Sequence, residues 1–300
     1  MKQLLFSHYI LLSSAIICQD TFSIVAVDSM TGEVGSAGAS CISGSIIISD
    51  IHPGIGVIHT QAQWNQENQN NAFEFMEVGV APQEIINWLI ENDVQNNPTV
   101  RQYGIVDLVD NGRSAGYTGI NCYDYKDHIL GQTYAIQGNI LLGPEILDDM
   151  EFAFNNTYGS LDEKLIATLL AANVPGADIR CLNYGTPALS AFIRVAKPEN
   201  TISEFFLDLN VNSVPSSMSP IDSLYTNYWY WKSSQYILGD LNYDRSIDVI
   251  DIHLLSQIIN GDEMPTDFQI IPADINNNGE VELSDLYLLL YSIIGIVGNN

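Results

Sequence analysis

Basic residues are scarce. Ten lysines and arginines stand against 36 aspartates and glutamates in 300 residues, a formal charge of −26 at pH 7. A chain that negative repels polyphosphates and anionic lipid headgroups, which argues against nucleic acid and anionic membrane surfaces as partners. Long apolar runs are missing too. The one near the start, residues 4–17, is broken by Ser7, His8, Ser13 and Ser14, and residues 286–297 form a short amphipathic run. Neither reaches the roughly 20 apolar residues of a membrane-spanning helix. Cysteine numbers only four. If Cys18 leaves with a leader, Cys41, Cys122 and Cys181 permit at most one intramolecular disulfide and leave one thiol over. The sequence does not choose the pair. The place of Cys41 in a Gly/Ala-rich stretch favours Cys122 with Cys181, leaving Cys41 as a buried thiol or, in a sharper reading, a nucleophile.

What is present divides unevenly. Residues 239–300 hold eleven acids and one base, Arg245, so that segment carries −10 and the remainder −16. The length permits two domains, and 46% hydrophobic residues supply ample core. Residues 1–18, with Lys2 as the only charge, have the pattern of a secretory signal, which implies a secreted, extracellular or periplasmic protein; a buried N-terminal strand or helix is the competing reading. Cleavage after Ala15 satisfies the small-residue preference best, cleavage after Cys18 leaves Gln19 first, and neither exposes Thr21.

The stretch from Thr21 to Cys41 organises the rest. Phe22, Ile24 and β-branched neighbours predict a strand over residues 21–27, and Asp28-Ser29-Met30-Thr31-Gly32 a turn. A second strand, rich in Gly and Ala, then allows close approach. A Thr at a processed N-terminus carries an α-amine that can act as base for its own hydroxyl. A first strand that merely starts with Thr explains the same residue. Further along, residues 54–61, 102–109, 114–118, 188–195 and 204–209 are expected as strands, Asn111-Gly112 as a hairpin turn, and residues 65–71 as an amide-rich loop leading to a helical segment with Phe73, Phe75 and Met76. Helices are expected from Pro82, from Pro144 through Phe154, over 161–172 and over 220–235, the last bearing Tyr228, Trp229 and Trp231 either as core or as a sugar-stacking face. Strands, helices and strands in that order fit an α+β layering of two sheets with helices outside. His59 and His128 read as structural imidazoles.

The acidic segment contains a repeat. Asp240, Asn242, Asp244, Ser246, Asp248 and Asp251 occupy positions 1, 3, 5, 7, 9 and 12 of a loop; Asp274, Asn276, Asn278, Glu280, Glu282 and Asp285 repeat the pattern 34 residues later. Six to eight hard oxygens at this spacing wrap a Ca2+ ion, position 7 giving its backbone carbonyl, so two ions are expected. Ile247 and Val281, at position 8, are placed to pair the loops in a short ladder. Each loop runs into an amphipathic helix, with no recognisable helix leading in. Arg245 stands where loop one needs a residue with positive φ, at a cost of about 1 kcal/mol.

Two resemblances follow from these residues. TFSIVAVDSMTGEVG (21–35), Thr60-Gln61-Ala62, Gly116-Tyr117-Thr118-Gly119, Gln137-Gly138-Asn139-Ile140-Leu141 and Ser190-Ala191-Phe192-Ile193-Arg194-Val195 closely resemble the family called domain of unknown function 1028. That resemblance covers residues 21–197 and the helix near Pro220. It implies an N-terminal-nucleophile (Ntn) hydrolase-like four-layer αββα sandwich acting on amide bonds, with Thr21 as nucleophile if the chain is trimmed to it. Residues 239–296 resemble a type I dockerin, an all-α paired calcium-loop module, which implies a cohesin-like partner; a calcium-stapled stability module without partner is the competing reading. The expected organisation is thus a signal peptide (1–18), an Ntn-hydrolase-like domain (19–236) and a dockerin-like domain (239–300). The expected function is a tethered amidohydrolase, against a noncatalytic binding or scaffold protein on the same fold. A polysaccharide hydrolase ranks last, since no carboxylate pair stands out.

Overall fold

The computed structural model describes residues 18–19, 21–262, 264–265 and 267–295; the leader expected over 1–18 lies outside them except for Cys18. A two-residue strand β1 (Cys18–Gln19) precedes β2 (Phe22–Asp28), β3 (Glu33–Ser40), β4 (Ser49–His52) and β5 (Gly56–Gln63). Helices α1 (Gln66–Glu77) and α2 (Pro82–Glu91) lead to β6 (Arg101–Asp107), β7 (Arg113–Thr118), β8 (Asp127–Leu130) and β9 (Tyr134–Gly138). Next come α3 (Glu145–Asn156), α4 (Leu161–Ala171), β10 (Ser190–Ala196), β11 (Leu207–Val211) and α5 (Pro220–Ser233). The acidic segment supplies α6 (Val249–Asn260), α7 (Asp267–Ala273) and α8 (Leu283–Ile293).

The strands form two antiparallel sheets. One runs β1-β5-β6-β7 with β4 also on the β5 edge; the other runs β11-β10-β3-β2-β9-β8. Period-two alternation on β2 decides what each face meets. Phe22, Ile24 and Ala26 join a core with Leu147 and Met150 of α3, Leu165 and Leu169 of α4, and Leu224 and Tyr228 of α5. Val25 and Val27 instead meet Val57 and Val106 of the other sheet. That other sheet gives Ile58, Tyr103 and Ile105 to a core with α1 and α2. The protein is therefore α+β, with two antiparallel sheets sharing one apolar cluster and helices covering further faces. The C-terminal helices close on a small core of their own, centred on Leu241, Leu255, Ala273 and Leu289.

Two local expectations fail for identifiable reasons. Residues 66–71 are helical, not loop: Asn65 caps α1 by accepting from the Glu67 and Asn68 amides at 2.9 and 3.1 Å. The inward face of that helix is partly amide. Asn68 donates to Asp93 at 2.6 Å and to Tyr103 at 3.1 Å, which hides the apolar period. The C-terminal repeat also has a lead-in helix, α7, obscured in sequence by Pro272 inside it.

Glu33 opens β3 nearly buried, 3.9 Å from Lys197. Burial pushes its carboxyl from 4.5 up to about 7, against the opposing pull of Lys197. A carboxyl that holds its proton more tightly when folded stabilises at low pH and loses that contribution as pH rises from about 4.5 to about 7. Glu33→Gln should therefore flatten the decline in melting temperature across that window, removing a pH-dependent term of up to about 3 kcal/mol. An unchanged slope in the variant would assign the decline to other groups.

Candidate functional site

Thr21 lies one residue before β2. Phe22 pairs with Ala39 of β3 and with Gly138 of β9, so the register carries Thr21 between Ser40 and Asn139. The Asn139 amide donates to the Thr21 carbonyl at 3.1 Å. Alternation places the Thr21 side chain with Ser23, Val25 and Val27 on the face turned to the other sheet. It is fully buried, and its Oγ1 has no hydrogen-bond partner among the described residues.

An uncharged polar network fills this end of the space between the sheets. Ser23 Oγ donates to Gln61 Oε1 of β5 at 2.7 Å and accepts from Gln137 Nε2 of β9 at 2.7 Å. Gln61 Nε2 reaches the Thr21 carbonyl at 3.3 Å and Gln102 Oε1 of β6 at 2.7 Å, and Asn139 Nδ2 donates to the same oxygen at 2.9 Å. Gln102 Nε2 in turn contacts the Gly138 carbonyl at 2.8 Å and Thr118 Oγ1 at 2.9 Å. Gly104 and Gly38 make room: a Cβ on Gly104 would collide with Gln137, and one on Gly38 would lie 2.9 Å from Phe192 and 3.0 Å from Ser23. His59 Nδ1 sits 3.0 Å from Ser23 Oγ. Burial, helped by the charge of Arg194, pushes this imidazole down to about 3, so it is neutral near pH 7. His128 lies beside Thr118 at 2.9 Å, also lowered by burial. Besides Thr21 Oγ1, the His59 Nε2, Gln137 Oε1 and Asn139 Oδ1 atoms are buried without partners among the described residues. A cluster of orphaned polar atoms normally carries a destabilising cost, and its concentration here marks the place.

One charged pair borders the network. Arg180 grips Asp178 through Nη2 at 2.6 Å and Nε at 2.9 Å, and Nη2 reaches Ser40 Oγ at 3.4 Å. Asp178 also accepts from the Cys41 amide at 2.9 Å. This segment is fastened by a Cys41–Cys181 disulfide with Cα atoms 5.7 Å apart. The expected Cys122–Cys181 pairing is thus incorrect, and Cys41 is no nucleophile. Cys122 is a buried thiol that donates to the Arg101 carbonyl at 3.3 Å. The register of β3 explains the outcome: Cys41 follows Ser40 directly, at the strand end over which the 179–184 turn folds. The sequence signal for Gln61, Gln102 and Gln137 is their unusual presence in strands, with Asn139 directly after one; only Gln61, Gln137 and Asn139 fall inside the quoted motifs, and none of the four is among the expected site residues.

Upstream of Thr21, β1 pairs Cys18 with Gln63 and Gln19 with Ala62. Cys18 and Gln19 thus pair within one sheet, while β2, which follows Thr21, lies in the other.

The two acidic loops share several hydrogen bonds at matching positions. Asp240 Oδ2 accepts from the Arg245 amide at 2.9 Å, and Asp274 Oδ2 from Gly279 at 2.7 Å. Asp251 Oδ2 accepts from Asp248 at 2.9 Å, and Asp285 Oδ2 from Glu282 at 2.9 Å. Asp244 Oδ1 and Asn278 Oδ1 accept from Ser246 and Glu280 at 2.7 and 2.8 Å. Positions 4 and 6 are left-handed in both loops, with φ of 60° and 70° at Tyr243 and Arg245 against 56° and 89° at Asn277 and Gly279. The hard-oxygen donor set suits Ca2+, and Asp240 Oδ1, buried without a partner among the described residues, is an atom a cation would satisfy. No group of three or more His, Cys, Asp or Glu converges as a metal cluster among the described residues; the carboxylates hold their own loop amides. The ladder expected between Ile247 and Val281 is absent among the described residues.

A two-sheet antiparallel α+β domain followed by a duplicated acidic loop-helix unit is the class of protein these features define. The chain belongs to DUF1028, described as a family of unknown function, which matches residues 21–224. It also carries a type I dockerin domain, matched over residues 238–293, a module class that binds calcium. No curated protein matches. Among solved structures, protein SPO2555 from Silicibacter pomeroyi, assigned to DUF1028, is 23% identical with a TM-score of 0.59 over 76% of this chain and 95% of its own. Anbu, an ancestral beta-subunit from Yersinia bercovieri, is 12% identical with a TM-score of 0.34 over 72% and 98%. Among the described residues no helix is long and apolar enough to cross a membrane.

The disulfide closes a sequence separation of 140 residues. Replacing both cysteines, Cys41→Ser with Cys181→Ser, should lower stability by about 2–5 kcal/mol in denaturant unfolding. Melting at wild-type values would mean that the Asp178–Arg180 segment is held without it.

Proposed function

We propose that this protein is an extracellular hydrolase of amide bonds, built on an Ntn-type four-layer αββα sandwich and tethered through its dockerin. Its nucleophile is Thr21, exposed when the chain up to residue 20 is removed. The domains we assign are a leader (1–18), the hydrolase (19–236) and the docking module (239–300). One observation carries the reading: Thr21 Oγ1 lies buried and unpartnered where an uncharged network meets the Asp178–Arg180 pair. The family match also opens on Thr21.

In the trimmed protein the Thr21 amine, with a pKa of roughly 7.7–8.0, takes the hydroxyl proton as Oγ1 attacks the amide carbonyl. The tetrahedral adduct collapses to an acyl-enzyme ester as the same proton passes to the leaving amine. Water, deprotonated by the amine, then releases the carboxylate and restores Thr21. No ionised side chain is needed in the network, in keeping with the neutral His59. The second reading is a noncatalytic binding or scaffold protein, favoured by the burial of Thr21 and by β1 pairing before it.

The dockerin part of the reading assigns two Ca2+ ions, one to Asp240, Asn242, Asp244, Ser246, Asp248 and Asp251, the other to Asp274, Asn276, Asn278, Glu280, Glu282 and Asp285. A cohesin-like module on another protein is the partner that such a domain would engage.

Mass-spectrometric determination of the secreted chain's terminus tests the enzyme directly: Thr21 is expected first. An active protein beginning at Ile16 or Gln19 would exclude the mechanism. Thr21→Ala should abolish hydrolysis of amide substrates while changing stability by no more than about 1 kcal/mol, because the hydroxyl makes no hydrogen bond. Wild-type kcat/KM should rise with pH and level off above the amine pKa.

Calorimetric calcium titration of the full chain should show unequal sites. Loop one has four carboxylates (Asp240, Asp244, Asp248, Asp251) and loop two has three (Asp274, Glu282, Asp285). The extra charge outweighs the roughly 1 kcal/mol strain at Arg245. Asp240→Ala should remove the tighter site; loss of that site in Asp274→Ala instead would reverse the order.

A further inference from the structure

The two acidic loops share several hydrogen bonds but differ in what they touch. At position 4, loop two carries Asn277, which is exposed; loop one carries Tyr243, only 8% exposed and part of the main core with Tyr228 and Leu161. The ring of Tyr243 lies over the Lys232 ammonium, 4.3 Å from its centroid. Lys232 is itself 1% exposed. Its Nζ donates to Asp162 at 2.7 Å and Ser160 at 3.1 Å, and Tyr228 donates to Asp162 at 2.6 Å. A second contact ties the next turn, Arg245 Nη2 to Gln235 at 3.0 Å.

We propose that loop one is an intramolecular latch: its Tyr243 docks on the face formed by α4 and α5, so that calcium at loop one stabilises the Thr21-bearing domain while loop two and α8 remain turned to outside partners. The duplicated unit is thereby used asymmetrically. Three residues fix the geometry. Tyr243 must hold φ near 60° to present its ring, and the neighbouring ligands Asn242 and Asp244 belong to the same turn. Filling the loop therefore fixes the backbone that aims the ring. The ring in turn keeps water from a buried Lys–Asp pair, whose exposure would weaken the α4–α5 contact. A ligand that binds one state alone favours everything tied to that state, about 100-fold at a hundred times its Kd.

The inference rests on calcium binding by the loops, and the test separates the two. Full-length protein is melted by scanning calorimetry in millimolar CaCl2 and in chelator, with hydrogen exchange followed at the amides of α4 and α5. Calcium should raise the main transition by ~3–6 °C and slow exchange at those amides. Tyr243→Asn, which copies Asn277 and suits a left-handed backbone, should keep the heat of calcium binding while the shift falls below ~1 °C. Asp274→Ala, which damages only loop two, should keep the shift. Calcium heat in wild type without any change in the main transition or in α4–α5 exchange would overturn the latch, as would a full shift in Tyr243→Asn. Absence of calcium heat would overturn the underlying loop assignment and the latch together. Should Tyr243→Asn fail to fold, the wild-type exchange comparison decides alone.

Discussion

Two sheets that face each other must bury whatever their inner faces carry, and here the decisive contact is polar: Ser23 of one sheet donating to Gln61 of the other at 2.7 Å. Apolar inner faces can slide; a hydrogen bond buried between sheets cannot, because each lost partner leaves an unsatisfied group worth about 1–3 kcal/mol. Ser23, Gln61, Gln102, Gln137 and Asn139 therefore set the register between the sheets at one end, and the valine-rich cluster of Val25, Val27, Val57 and Val106 fills the other. Thr21 is positioned by this division. It is the next residue on the Ser23 face, held through its carbonyl by Asn139 and Gln61.

Much of this was legible. The alternation in TFSIVAVD, the turn at Gly32 and the Gly/Ala-rich return strand describe β2 and β3 nearly to the residue. Strands with strong β-branched content and helices opened by proline were readable for the same reason: a single local preference governed them. The missed elements were short, interrupted, or carried polar residues inward. β9 lies beside β2 and is buried throughout, yet its five residues mix Tyr134, Ala135 and Ile136 with Gln137 and Gly138, too short and mixed a run to announce a strand. Helix α1 hides Asn68 and Gln69 inward. The spacing of Asp240 to Asp251 and of Asp274 to Asp285 was readable because oxygen placement along one loop is purely local. The disulfide was not, because its partners meet only after β3 and the 179–184 turn are brought together by the whole sheet.

The buried charges follow the same logic of completeness. Arg101 is 1% exposed and bonds Asp93 at 2.8 Å and Gln95 at 2.8 Å, with the Gln63 carbonyl completing its shell. Burial raises the Asp93 carboxyl, but the hydrogen bonds from Arg101, Asn97 and Asn68 prevail and hold it at about 2. The pair clamps the 93–101 connection to the end of β5, two residues beyond Gln61. Rigidity at that end belongs to the same region as the orphaned polar atoms, which is where a preorganised site requires it.

The pairing of Cys18 and Gln19 with Gln63 and Ala62 has a further consequence. Backbone donors and acceptors on a strand edge are an exclusive resource, since one neighbour uses them at a time. β4 already takes the earlier part of the β5 edge, so the stretch at Ala62 and Gln63 is what remains for an added strand. An extended peptide arriving there competes with a segment of the same chain, present at an effective concentration on the order of millimolar. While that segment stays attached, only a peptide more concentrated, or better matched, gains the edge.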